Sequence, residues 1–483
     1  MSKIHENFIN GQWSGGREAV TSINPSDLSD PVGRYAQADT SDVDAAIDAA
    51  RPAQRAWAAT GLEQRGAVLG RIGAELMDRS AELGELLSRE EGKPRAEGVG
   101  EVYRAGQFFQ YYAAEVLRQI GDKVDSVRPG IEIDVTREPV GTVAVISPWN
   151  FPVATASWKI APALAFGNAV VWKPANETPA MAWALTEIIS RQDIPNGLFN
   201  LVMGPGSSIG GHLAGHAGVD AVSFTGSLAV GRRVGAAAAA KLTRFQLEMG
   251  SKNALVVMDD ADLDTAVQCA VAGAYSGTGQ KCTASSRLLV HDAVHDAFVD
   301  KLRDAVLAMQ VDHALKPGTQ VGPVVSERQL AANLEYIALA REEGCEHVCG
   351  GERLERATEG YYMAPALFIN TRNDMRVNRE EMFAPIACVI RVSSYEEALA
   401  TANDTEYGLT SGIVTGSLAR AGHFRRNAEA GCVMVNLPTA GTDYHVPFGG
   451  RKNSSFGPRE QGRYAAEFYT TVKTAYISHG AGL

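Results

Sequence analysis

TVAVISPWNFPVATASWKIAPALAFGNAVVWKPANETP, residues 142–179, decides how the rest of the chain is read. It opens on one run of consecutive apolar residues (TVAVIS, 142–147) and nearly closes on another (AVVWK, 169–173), with a helix-compatible stretch between them. Strands with one wet face alternate apolar and polar residues, whereas unbroken apolar runs separated by helices mark strands covered on both faces of a parallel sheet. The pattern recurs in FNLVM (199–203), AVSF (221–224) and RFQLE (244–248), which predicts a βαβ series of the doubly wound, nucleotide-binding kind. A second series begins at NALVVM (253–258), passes through RLLV (287–290) and a helix over about 291–309, and runs to about Cys432. The expected fold class is α/β, with two doubly wound, Rossmann-like units.

Outward from these runs the texture changes. Residues 41–117 repeat apolar side chains every three or four positions and are rich in Ala, Leu, Glu and Arg, so they read as helices. IEIDVTRE (131–138) alternates strictly, and FYTTVKTAYI (468–477) stands equally apart from both α/β series. Together they suggest a small extra sheet of the sort that pairs with another copy, and so a homo-oligomer, dimer or tetramer.

Composition limits the function. The 483 residues carry 45 Lys plus Arg against 56 Asp plus Glu, a formal charge of −11, which offers no basic field to a nucleic acid or an acidic membrane. No apolar run approaches the roughly 18 residues of a membrane span, and the N-terminal stretch MSKIHENFINGQW lacks the apolar segment of a signal peptide, so a cytoplasmic location is expected. Six cysteines suit a reducing compartment better than a disulfide scaffold. Cys345 and Cys349 lack a second pair of metal ligands, and no metal is expected.

Several short motifs carry chemistry. In GQKCTASS (279–286), Cys282 follows Lys281 at an expected loop-to-helix entry, where amides and a cation would lower the thiol pKa; the plainer alternative is a buried structural cysteine. Glu248 ends the strand RFQLE, where ligands bind in parallel sheets, and is a candidate base or simply a surface carboxylate. In SPWNFP (147–152), Asn150 offers a neutral donor for an oxyanion, or only a helix cap, beside the flat ring of Trp149. Lys173 in VWKPANETP can reach a ribose or phosphate oxygen. SFTGSLAVG (223–231) reads as strand, tight Gly226 turn and a helix capped by Ser227, whose N-terminus can hold a phosphate.

Taken in order, PWNFP, KPANETP, SFTGS, LEMGSKN, GQKCTASSR, EEMFAP and PFGGRKNS resemble the aldehyde dehydrogenase superfamily over nearly the whole chain. The resemblance implies Cys282 as nucleophile, Glu248 as general base and Asn150 as oxyanion donor. It implies a nicotinamide cofactor site at Ile146, Trp149, Lys173, Asn176, Gly206, Gly226, Ser227, Met249, Glu381 and Phe383. It further implies a cofactor-binding unit over 1–120 and 140–250, a catalytic unit over 251–447, and an oligomerisation arm over 121–139 and 465–483. Two departures, Ser251 and Ala384 where relatives often have Gly, are small in volume and predict backbone adjustment rather than loss of activity. Relatives that prefer NAD commonly carry Glu at the position of Asn176; without that carboxylate a 2′-phosphate meets no like charge, so NADP is expected to be accepted and preferred, with NAD also used.

PTAGTDYHVPFGGRKNSSFGPREQG (438–462) is similar to the α-ketoglutaric semialdehyde (2,5-dioxopentanoate) dehydrogenases, close to the succinate semialdehyde enzymes, and implies an ω-carboxylated aldehyde as substrate. In EVYRAGQFFQYY (101–112), Arg104 falls where relatives put a tunnel residue and could clamp a distal carboxylate, or could simply face solvent. Phe151, Trp158 and Phe448 would supply apolar walls. A cofactor-independent cysteine esterase and a non-catalytic structural relative are the competing classes.

Overall fold

The computed structural model describes residues 3–15, 18–118 and 121–480. The five apolar runs of the first series are strands of one eight-stranded sheet, ordered Ser455–Phe456, Arg244–Glu248, Ala221–Thr225, Thr142–Ile146, Ala169–Lys173, Phe199–Leu201, Asn7–Ile9 and Gln12–Ser14. The five inner strands are parallel, and every residue of Thr142–Ile146 and Ala169–Lys173 is buried. The parallel series starts in the middle at Thr142–Ile146, moves outward through Ala169–Lys173 and Phe199–Leu201, then returns to the other side of its first strand at Ala221–Thr225. That reversal leaves a crevice at the strands' C-terminal ends, the ligand position of an open α/β sheet.

A seven-stranded sheet follows, with Asn253–Val257 between Ser285–His291 and Thr410–Val414, all parallel. Its starting strand again lies beside a reversal. The helix expected over about 291–309 is His295–Leu307, because Ser285–His291 continues as strand up to His291. A three-stranded antiparallel sheet joins Gly121–Asp125, Ile131–Pro139 and Thr470–Ser478, bringing together the two alternating segments. Its outer strands stay open to solvent, with Val472 and Tyr476 exposed. Residues 481–483 of the expected arm and residues 1, 2, 16, 17, 119 and 120 of the expected cofactor-binding unit lie outside the described residues.

Strands before residue 40 were not foreseen. Glu18–Asn24 and Asp27–Gln37 pair antiparallel, and Asn7–Ile9 with Gln12–Ser14 edge the large sheet. Pro31 and Gly33 interrupt the second of these runs, and the register slips beside Ser22 and Ile23, so the period-2 signal is broken where it would have been read. The helices expected over 41–117 are Thr40–Ala58, Leu62–Asp78, Ser80–Glu91 and Arg95–Glu115. Among the described residues no helix is long and apolar enough to cross a membrane.

Candidate active site

A cleft of about 620 Å³ opens at the C-terminal ends of Thr142–Ile146, Ala169–Lys173, Ala221–Thr225 and Arg244–Glu248, facing the turn that carries Cys282. Cys282, Glu248 and Asn150 all line it. So do Ile146, Trp149, Lys173, Asn176 and Gly206 along one wall, and Gly226, Ser227, Met249, Glu381 and Phe383 along another. Phe151, Trp158 and Phe448 are apolar lining.

Asn150 is buried, and its side-chain Nδ2 donates to the carbonyl of Gln280 at 2.9 Å. An amide nitrogen carries two N–H groups, so this bond fixes the side chain while leaving one donor. Asn253 holds the cysteine turn, donating to the carbonyls of Cys282 (2.8 Å) and Ala284 (2.9 Å).

The expected activation of Cys282 is not what the fold provides. The residue lies in a turn leading into the strand Ser285–His291, with no helix start behind it. Lys281 turns its ammonium to the Ala272 carbonyl (2.9 Å) and the Ser276 hydroxyl (2.7 Å) instead of serving the thiol. Burial, with Glu381 and Glu248 adding negative charge, pushes the Cys282 thiol from its ordinary 9.0 up to about 12.

Glu248 is buried, and its Oε2 accepts from the Ser455 hydroxyl at 2.6 Å. Burial and the nearby Glu460 hold its carboxyl well above the usual carboxylate range, with Ser455 and Lys159 opposing. Glu460 pairs with Lys159, which also donates to the Ser223 hydroxyl at 2.9 Å; both partners of the pair are almost fully buried. Sequence reading missed this pair and Ser455. One signal was present: Lys159 is the only charge in the helix Ala154–Ala165, and a lone buried cation demands a carboxylate.

Trp149 meets Phe383 edge to face, ring centres 5.4 Å apart. Phe383 holds φ at +55°, a left-handed conformation that is strained for an aromatic residue and aims its ring at the cleft. Glu381 Oε1 accepts the Ser251 N–H at 2.9 Å, and a Cβ on Gly250 would lie 1.8 Å from Glu381 Oε2, so a larger residue there would displace the Glu381 carboxylate. Ser251, by contrast, is bonded through its hydroxyl to Asn253 Oδ1 at 2.7 Å and receives the Leu409 N–H at 3.3 Å. Lys173 is buried, and its ammonium makes no hydrogen bond among the described residues; burial lowers its pKa to about 8, with Glu177 opposing. Ser227 caps the helix Leu228–Ala239 through the Val230 N–H at 3.4 Å.

Arg104 is the expected site residue that does not line the cleft. Its Nη1 donates to the Thr442 carbonyl at 3.3 Å and its guanidinium lies 5.5 Å from the centre of the Tyr444 ring. One helical turn on, Phe108 meets Trp158 edge to face at 5.9 Å, so that helix approaches the cleft wall through a ring, and Arg104 reaches the 438–448 loop instead.

Among the described residues, one trio could hold a metal ion: Asp44, His212 and His216, with ligand atoms within 4.8 Å of one another. It lies outside the cleft lining, and its groups already satisfy one another: Asp44 Oδ1 sits 2.6 Å from His212 Nε2 and 3.4 Å from His216 Nε2, while His216 Nδ1 accepts the Gly218 N–H.

Residues 13–475 match the sequence profile of the aldehyde dehydrogenase family. An α-ketoglutaric semialdehyde dehydrogenase of Bacillus subtilis (strain 168) is 41% identical over 475 residues, covering 98% of this chain and 97% of that protein. The crystal structure of betaine aldehyde dehydrogenase from Staphylococcus aureus in complex with NAD+ superposes with a TM-score of 0.96 at 32% identity, over 99% of this chain and 96% of that one. A structure described as an E. coli NADP dependent enzyme gives a TM-score of 0.95 at 35% identity, over 98% of each chain.

Proposed function

The chain belongs to the aldehyde dehydrogenase family, and from that premise we propose that it oxidises an ω-carboxylated semialdehyde, α-ketoglutaric semialdehyde above all, to the carboxylic acid. The observation that carries this is one cleft lined by a thiol, a buried carboxylate and an amide with a spare donor.

The cleft suits a nicotinamide dinucleotide. A buried ammonium without a hydrogen bond, the glycine backbone at Gly206 and a helix start at Ser227 form a donor set for ribose hydroxyls and phosphates. When bound, the cofactor supplies the hydride acceptor. Asn176 in place of a carboxylate at that position, with the neighbouring Glu177 paired to Arg328 at 3.2 Å, supports NADP as the preferred form, with NAD also used.

The protein's own groups divide the work. As Cys282 Sγ bonds to the aldehyde carbon, its thiol proton passes to Glu248, the carboxylate lining the same cleft, and on to solvent, and the oxygen that gains charge is met by the spare N–H of Asn150. After hydride leaves that carbon, the acyl group remains on sulfur as a thioester. Glu248 then takes a proton from water, whose oxygen bonds to the acyl carbon as the C–S bond breaks. The same burial that makes the thiol a weaker acid makes this carboxylate a better base.

For the substrate, Phe151, Trp158 and Phe448 provide apolar walls, while Arg104, outside that lining and bonded to the Thr442 carbonyl, would have to turn from that carbonyl to reach a distal carboxylate. The exposed face of Thr470–Ser478 supports a homodimer or homotetramer, and six unpaired cysteines support a cytoplasmic site of action. Absorbance of reduced nicotinamide should rise when the protein meets NADP and the semialdehyde, and Cys282→Ala should abolish it. Ester cleavage without any rise would favour a cofactor-independent hydrolase.

A further inference from the structure

Between the helices Ser80–Glu91 and Arg95–Glu115 lies a buried ionic cluster that touches the backbone of the oxyanion donor. Lys93 is 4% exposed, and its ammonium donates at 2.6 Å both to Glu101 Oε2 and to the main-chain carbonyl of Asn150. It also stands 4.2 Å from the centre of the Phe151 ring and 3.8 Å from Glu91 Oε2. The other oxygen of Glu101 accepts the N–H groups of Val153 (3.1 Å) and Ala154 (3.2 Å), capping the helix Ala154–Ala165, which has no side-chain cap of its own. One helical turn earlier, Glu97 Oε1 accepts the Gly277 N–H at 3.1 Å on the segment leading to Cys282.

We propose that Lys93 and Glu101 are positioning residues that clamp the peptide of Asn150, so that its amide is aimed at the oxyanion before substrate arrives. The proposal rests on Asn150 being the oxyanion donor. A loop flanked by Pro148 and Pro152 has few backbone bonds of its own, and a charge-assisted bond to the Asn150 carbonyl removes its remaining rotation. The ammonium makes no hydrogen bond to Cys282 or Glu248; it meets the cleft lining at the Asn150 carbonyl, which it bonds, and at the Phe151 ring, which it only overlies, so the Asn150→Ala background separates the two routes. Losing one oxyanion donor outright costs about 100- to 1,000-fold in rate, and a donor left loosely aimed costs part of that.

The test uses the full-length enzyme with NADP and semialdehyde, reading the hydride-transfer rate by stopped flow and cofactor Kd by fluorescence titration. Lys93→Met should slow hydride transfer about 10- to 100-fold while cofactor Kd moves less than twofold. Lys93→Met with Glu101→Gln removes both charges, keeps an acceptor for Val153 and Ala154, and serves where the single variant does not fold. Lys93→Arg should restore much of the rate. The decisive comparison is the Asn150→Ala background, where Lys93→Met should add no further loss. Multiplicative losses there, unchanged rates in the single variants, or failure of both charge variants to fold would overturn the clamp. An Asn150→Ala variant with normal rates would instead refute the role of Asn150 itself.

Discussion

Alkylation of Cys282 is the sharpest probe of the site's electrostatics. With burial and two carboxylates holding the thiol at about 12 instead of 9.0, roughly 1 in 10⁵ molecules carries a thiolate at pH 7, against about 1 in 10² for an unperturbed thiol. The three powers of ten correspond to about 4 kcal/mol disfavouring the thiolate. Because iodoacetamide reacts with the thiolate, inactivation of the cofactor-free enzyme should accelerate about tenfold per pH unit up to pH 10, with no plateau. Burial is the largest cause, so Glu248→Gln and Glu381→Gln should each shift the curve only modestly to lower pH. The assay is residual dehydrogenase activity after timed exposure, with mass spectrometry assigning the adduct to Cys282. A plateau at or below pH 8.5 would refute the reasoning and return the thiol to the cation-activated state that its neighbour Lys281 suggested.

Other perturbations probe the surroundings. Glu248 must be deprotonated to act as a base, and Ser455 lowers its pKa, so Ser455→Ala should raise that pKa and move the acid limb of the kcat profile to higher pH. Lys159→Met strands the buried Glu460 carboxylate and should cost about 3–5 kcal/mol in urea unfolding, much of which Glu460→Gln should return in the double variant. Arg104→Ala should raise KM for a carboxylated semialdehyde far more than for a neutral aldehyde of equal length; equal losses would leave Arg104 as a support for the 438–448 loop. Asn176→Glu should lower kcat/KM with NADP and spare NAD, and an unchanged ratio would remove Asn176 from the choice of cofactor.

The legible parts share one property: their signals are local in the chain. Strands buried on both faces announce themselves as apolar runs, and the reversal between Thr142–Ile146 and Ala221–Thr225 follows from their order, so a crevice at the strand ends could be expected with Glu248 and Lys173 beside it. What failed required neighbours distant in sequence. Lys281 adjoins Cys282 in the chain, yet its ammonium belongs to the end of the helix Leu263–Ala274, while the charges that set the thiol come from Glu381 and Glu248. Likewise Lys159 and Glu460 are 301 residues apart, and Lys93 reaches a peptide 57 residues away. A cation in an apolar helix, such as Lys159, tells a reader that a carboxylate must exist, because an unpaired buried charge costs several kcal/mol. It cannot tell which one, since that depends on how the C-terminal segment folds back to lay Ser455–Phe456 beside Arg244–Glu248. Burial is the largest cause of the raised pKa of Glu248, and the C-terminal segment adds to it both the repulsion from Glu460 and the opposing hydrogen bond from Ser455, so truncation before residue 455 should remove these two opposed influences at once.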